Sequence, residues 1–218
     1  LQYVEADFCM FCDQDDIWLP DKIEKMYEAI AGLDQGIPQV VYSNAYLWRS
    51  DAGIISNRNT LTYPATLRQA LFLNSGVQGA AAIFNQPLTN YAMHDHVLLL
   101  VAICLGRVNY LDEPLMYYRQ HENNVTGHAP GSMRRKIALM WQNRHVPLVS
   151  RSHLDGLRAF FVRFHRELSS GDSRLIEVFL QLPDLNFLDR LKAIIANRFQ
   201  LYDSTLLLIV KLCIRRFI

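Results

Sequence analysis

The apolar run from Phe8 to Cys12 stops abruptly at Asp13, a pattern that predicts a short buried strand. Pro20 then opens an amphipathic helix, with Ile23, Met26, Tyr27, Ile30 and Leu33 at helical spacing. Val40 to Trp48 reads as a strand, closed by the turn Ser50-Asp51-Ala52-Gly53 and a short return through Ile54 and Ile55. Thr66 to Leu73 has helical character, and Ala80 to Phe84, after Gly79, reads as another strand. His96 to Leu105 is an apolar helix stopped by Gly106, with strand candidates at Val108–Leu111 and Leu115–Tyr118 beyond it. Strands alternating with helices predict an α/β sandwich with a largely parallel sheet.

From about Pro130 the pattern changes. Strand signals vanish, and helical stretches follow, punctuated by Pro147, Gly171 and Pro183. The expected division is therefore residues 1–130, an α/β part, and residues 131–218, a helical extension. Charge divides the same way: residues 1–130 carry 7 Lys and Arg against 14 Asp and Glu, residues 131–218 carry 15 against 7. An acidic part joined to a basic one implies two surfaces with different partners. The basic part holds no nucleic-acid motif, so nucleic acid is not an expected partner and an anionic membrane surface is. Thr205 to Ile214, followed by Arg215 and Arg216, is too short to span a bilayer. It reads either as a helix lying in the membrane interface or as one packed on the preceding helices.

Cys9, Cys12, Cys104 and Cys213 lack the spacing of a disulfide framework and suit a reducing compartment. No signal-peptide pattern and no run of 18 apolar residues stands in the sequence, so a cytoplasmic location is expected, with association at the inner face of a bacterial membrane.

Three polar clusters carry candidate chemistry. Asp13, Asp15 and Asp16 crowd three carboxylates into four positions at a strand end, where α/β sheets receive ligands. Such charge beside a core is costly unless it is solvated or neutralised. Asp13 and Asp15 form a D-x-D suited to Mg²⁺ or Mn²⁺ bridging to phosphate, while Asp16 reads as a cap of the turn or of the coming helix. In Met93-His94-Asp95-His96, Asp95 directly precedes an apolar helix and serves either as its N-cap or as a general base. Tyr117 to Asn124 gathers Arg119, suited to phosphate, and His121, a possible metal ligand.

The succession FCDQDDIWLPDKIEK, VVYSNAYLW, Gly79 before an apolar strand, MHDH and EPLMYYRQHENNVTG resembles bacterial family-2 glycosyltransferases. Within them it is most similar to the rhamnosyltransferase type of surface-polysaccharide synthesis, over roughly residues 5–128. The resemblance implies a GT-A fold, a nucleotide-diphosphate sugar donor such as dTDP-rhamnose, Mg²⁺ or Mn²⁺, and a saccharide or lipid-linked acceptor. It places Asp13, Asp15 and His121 at the metal and Asp95 as the catalytic base. Trp18, Gly79, His94, Arg119 and Asn124 then line the substrate site. The implied reaction is a single displacement with inversion: Asp95 takes the acceptor proton while the acceptor oxygen attacks the anomeric carbon. Such enzymes begin with a nucleotide-gripping strand–loop–helix–strand region that has no counterpart ahead of Leu1. The chain by itself is therefore expected not to turn over a nucleotide sugar, and a non-catalytic, partner- or membrane-binding remnant is the alternative.

Overall fold

The computed structural model describes residues 5–60, 63–73, 78–89, 95–120 and 141–218. The chain forms two compact units, residues 1–65 with 76–128, and residues 66–75 with 129–218. The 66–75 segment, grouped with the α/β part by the sequence pattern, thus belongs to the helical unit.

The first unit is built on a six-stranded mixed sheet. Its strands are β1 (Phe8–Met10), β2 (Ile17–Trp18), β3 (Gln39–Arg49), β4 (Gly53–Ser56), β5 (Ala82–Asn85) and β6 (Arg107–Arg119). The order is β1-β5-β3-β6-β2, with β4 paired to β3 outside that path. Only β3 and β6 pair in parallel among the described strands; every other pairing is antiparallel. The expectation of a largely parallel sheet is corrected accordingly. The cause lies in the connections: β4 returns from β3 through a tight turn at Gly53 (φ +70), and the two-residue β2 folds back onto β6.

β3 is buried continuously from Gln39 to Ala45 rather than alternately, the signature of a strand covered on both faces. α1 (Lys22–Ala31) and α4 (Asp95–Leu105) both pack on β3 and β6. Met26 and Ile30 of α1 meet Val41, Ile83 and Leu115 in one fully buried cluster. A 3₁₀ turn (Gly79–Ala81) leads into β5, and α3 (Gln86–Thr89) follows it, while α2 (Leu67–Ala70) belongs to the second unit.

Two local readings of the sequence are corrected here. The α1 face that enters the core is Lys22, Met26 and Ile30, whereas Ile23 and Tyr27 are 61% and 51% exposed. The two strand candidates after Gly106 are one strand, β6, with register shifts where Ser43, Asn44 and Tyr46 meet Leu111, Pro114 and Tyr117. Pro114 cannot donate to the ladder, and the shift accommodates it. Asp112, in the shifted stretch, accepts from Arg58, Asn44 and Tyr63 instead.

The second unit is helical: α5 (Arg151–Phe164), α6 (Ser170–Gln181), α7 (Phe187–Ala196) and α8 (Thr205–Ile214). Ser150, Ser169, Asn186 and Ser204 cap these four helices through their side-chain oxygens. Phe72, beyond α2, meets Phe179, Phe199 and Phe217 edge-on in its core. His153 is buried with its Nε2 2.8 Å from the Leu71 carbonyl, and burial lowers its pKa. Among the described residues no helix is long and apolar enough to cross a membrane.

Candidate functional site

The acidic residues stand in the connection between β1 and β2, at the end of β1. Asp13 is exposed and Asp15 half-buried, while Asp16 reaches inward. One Asp16 carboxylate oxygen accepts from the Arg119 backbone N–H at 3.2 Å, at the end of β6. The other accepts from the Gln78 side-chain amide, also at 3.2 Å, immediately before Gly79. Gln78 in turn accepts from the Asn59 amide at 3.1 Å. Three segments far apart in sequence are thereby tied to one carboxylate. Asp16 does not cap α1, one of the two roles that the sequence offered it, the other being a cap of the turn. Asp21 stands at the N-cap position of α1, and Asp16 joins the loop to the sheet.

Burial pushes the Asp16 carboxyl up to about 6. The Arg119 N–H and Lys22 pull the other way, while Asp13 and Asp15 add to the rise. The Tyr118 hydroxyl is also raised, by burial first and then by the same three carboxylates.

Lys22, at the start of α1, is fully buried below this loop. Its Nζ donates to the Ala80 carbonyl at 2.6 Å, meets the Met116 Sδ at 3.3 Å, and lies 4.0 Å from the Trp18 ring centre. Burial lowers its pKa to about 8, against the pull of Asp16, Cys12 and Asp13. Nothing in the sequence pattern marks this residue as buried. A lysine at the start of an amphipathic helix ordinarily points to water, and only the neighbouring Trp18 and carboxylates could have marked it. Lys22 answers part of the cost of the acidic cluster: the fold carries its own cation beneath it.

Trp18, in β2, is half-buried, with its ring beneath Lys22 and its indole N–H buried without a partner among the described residues. Gly79 is buried and opens the 3₁₀ turn whose next carbonyl, that of Ala80, receives Lys22. Arg119 ends β6 with its guanidinium 5.1 Å from the Trp48 ring centre. Its Nε, like the side-chain amide nitrogen of Gln120, is buried with no partner among the described residues. Tyr46 and Tyr117 stack across β3 and β6 at 5.4 Å, next to this strand end. Asp95 is the first residue of α4, one position ahead of the helix start that the sequence pattern put at His96, and its side chain lies outside the described residues. His94, His121 and Asn124 also lie outside them.

The structure thus brings the Asp13–Asp16 loop, Trp18, the Gln78–Ala80 segment and Arg119 to one end of the sheet. Among the described residues no three His, Cys, Asp or Glu side chains converge as a metal cage. The donor chemistry nevertheless fits a hard divalent ion. Asp13 and Asp15 offer carboxylate oxygens at the rim, and mutual repulsion with Asp16 is what such an ion relieves. Cys9 and Cys12, near the same loop, are free thiols, and burial raises the pKa of Cys9.

No protein-family model matches this chain, and no curated protein matches it either.

Proposed function

We propose that the first unit is the metal- and diphosphate-binding part of an inverting, GT-A-type glycosyltransferase. It would move a sugar, rhamnose being the one the resemblance suggests, from a nucleotide-diphosphate donor to a saccharide or lipid-linked acceptor. The observation that carries the reading is Asp16, whose two oxygens join the D-x-D loop, the Gln78-Gly79 segment and the end of β6. These are the segments on which the family resemblance rests.

Asp13 and Asp15 would hold Mg²⁺ or Mn²⁺, which neutralises charge on a departing diphosphate. Arg119, with an unspent N–H, would meet a phosphate oxygen. Lys22, through Ala80, fixes the backbone beside Gly79 where a sugar would lie close. Asp95, opening α4, would take the proton of the acceptor hydroxyl. The test is binding of inorganic diphosphate with and without Mn²⁺, comparing wild type with Asp15→Asn. Metal-dependent binding abolished by the substitution supports the reading, and absence of binding, or binding indifferent to Mn²⁺, opposes it.

A second reading, a non-catalytic module, is favoured by Lys22. Because a buried ammonium already balances the loop, the carboxylates can persist without an exogenous cation. Under that reading Asp13→Asn and Asp15→Asn change net charge and the titration of Asp16 and Tyr118, and Mn²⁺ affects neither wild type nor variants.

A further inference from the structure

We infer that the outward face of α8 is a docking surface for an anionic lipid bilayer. The inference stands on the helical unit alone and is independent of the reaction proposed above. α8 turns Leu208 and Leu212 into the core, whereas Leu206 is 71% exposed, Val210 is 40% exposed, and Cys213 is exposed. Positions 206, 210 and 213 lie four and three apart, so they share one face of the helix. No charged side chain interrupts that stripe. Lys211 lies off it, half-buried, with its Nζ 5.8 Å from the Tyr202 ring centre. A helix at a protein surface normally turns charge outward, and one that is apolar all round is built to be covered.

The neighbouring α7 has a mixed outward face: Leu188 and Ile195 are 64% and 53% exposed, and between them stands exposed Lys192, which pairs with Asp189 at 3.3 Å. Charge favours an anionic cover: residues 184–218, which hold both helices, carry 6 Lys and Arg against 3 Asp. Exposed Arg198 and Arg216 each follow the C-terminal end of one of the two helices. A bilayer of anionic lipid offers acyl chains to the apolar stripe and phosphates to the cations at its border. At ten residues, α8 is ~15 Å long and cannot cross a hydrocarbon core of ~30 Å, so it would lie in the plane of the interface.

The test is flotation of the full chain with vesicles of phosphatidylcholine alone or mixed with phosphatidylglycerol. The expected result is binding to the mixed vesicles, weak binding to the neutral ones, and release at high salt. Leu206→Gln/Val210→Gln alters only exposed positions, so folding should persist, as circular dichroism can verify. It should lower vesicle partitioning by about tenfold or more, as should Lys192→Gln/Arg216→Gln. Absence of flotation, equal binding to neutral vesicles, or unchanged binding of the apolar double variant would each overturn the inference. Self-association abolished by Leu206→Gln/Val210→Gln, without vesicle binding, would assign the stripe to a second copy of the chain instead.

Discussion

Replacing Lys22 with Met tests whether the acidic loop rests on an internal cation. The side chain is fully buried between the Ala80 carbonyl, Met116 and Trp18. Met has a similar length, so the perturbation is chiefly loss of charge and of one hydrogen bond rather than a cavity. Burial is the largest influence on Lys22 and lowers its pKa from 10.5 to about 8. Between those two values the unfolded chain binds more protons than the native one, so this lysine makes stability rise with pH across that window. Below it, the buried ammonium carries a standing cost. One pKa unit corresponds to ~1.4 kcal/mol, so wild type should gain about 1.5 kcal/mol on Lys22→Met between about pH 8 and about pH 9.5. At neutral pH, relief of the buried charge and loss of the Ala80 bond nearly cancel, leaving a difference of roughly 1 kcal/mol or less. Urea unfolding in a Trp141→Phe background, followed through Trp18 and Trp48, reads the first unit directly. Other groups titrating in this range do so in both proteins and drop out of the difference. Parallel stability profiles over the window would refute the argument, because a lysine free to ionise in water contributes no slope.

Asp16→Asn should change the acid side. The folded Asp16 pKa of about 6 lies above its ordinary 3.8, so its contribution is full below pH 4 and is lost as pH rises to about 6. Asn at this position should flatten that decline, as thermal melts from about pH 4 to about pH 7 would record. Given transfer activity, Asp95→Asn should reduce turnover by about 10²–10⁴ with donor affinity nearly unchanged, whereas a mere cap would tolerate Asn; steady-state kinetics at saturating donor separate the two. Gly106→Ala would drive a Cβ into the Pro38 carbonyl at the turn between α4 and β6, and should cost at least about 3 kcal/mol in urea unfolding.

The elements with strong periodicity were legible in the sequence. The turn at Ser50–Gly53, the strand before the acidic cluster, the apolar helix ended by Gly106, and Thr205–Ile214 all stand where the pattern put them. Strand direction was not legible, because β1 pairs with β5 across more than seventy residues, and periodicity carries no sign of partner or sense. Two-residue β2 is too short to show alternation at all. The rotation of α1 that buries Lys22 and exposes Ile23 reflects tertiary context overriding a local pattern: a lysine with an aromatic face and a carbonyl in reach can enter a core. At the site, the D-x-D, Trp18, Gly79 and Arg119 were visible as residue types at strand ends. Asp16 was visible only as a cap, since its partners, Gln78 and the Arg119 N–H, lie 62 and 103 residues away.

The central claim is that the Asp13–Asp16 loop and the end of β6 form a site for a metal-bound nucleoside diphosphate. Calorimetric titration of the full chain with dTDP, in the presence and absence of Mn²⁺, tests it most directly. The account predicts saturable binding that requires Mn²⁺, is lost in Asp15→Asn, and persists in Asp51→Asn, whose exposed carboxylate pairs with Arg49 in the β3–β4 turn. Binding that ignores Mn²⁺, survives Asp15→Asn, or never occurs would contradict it.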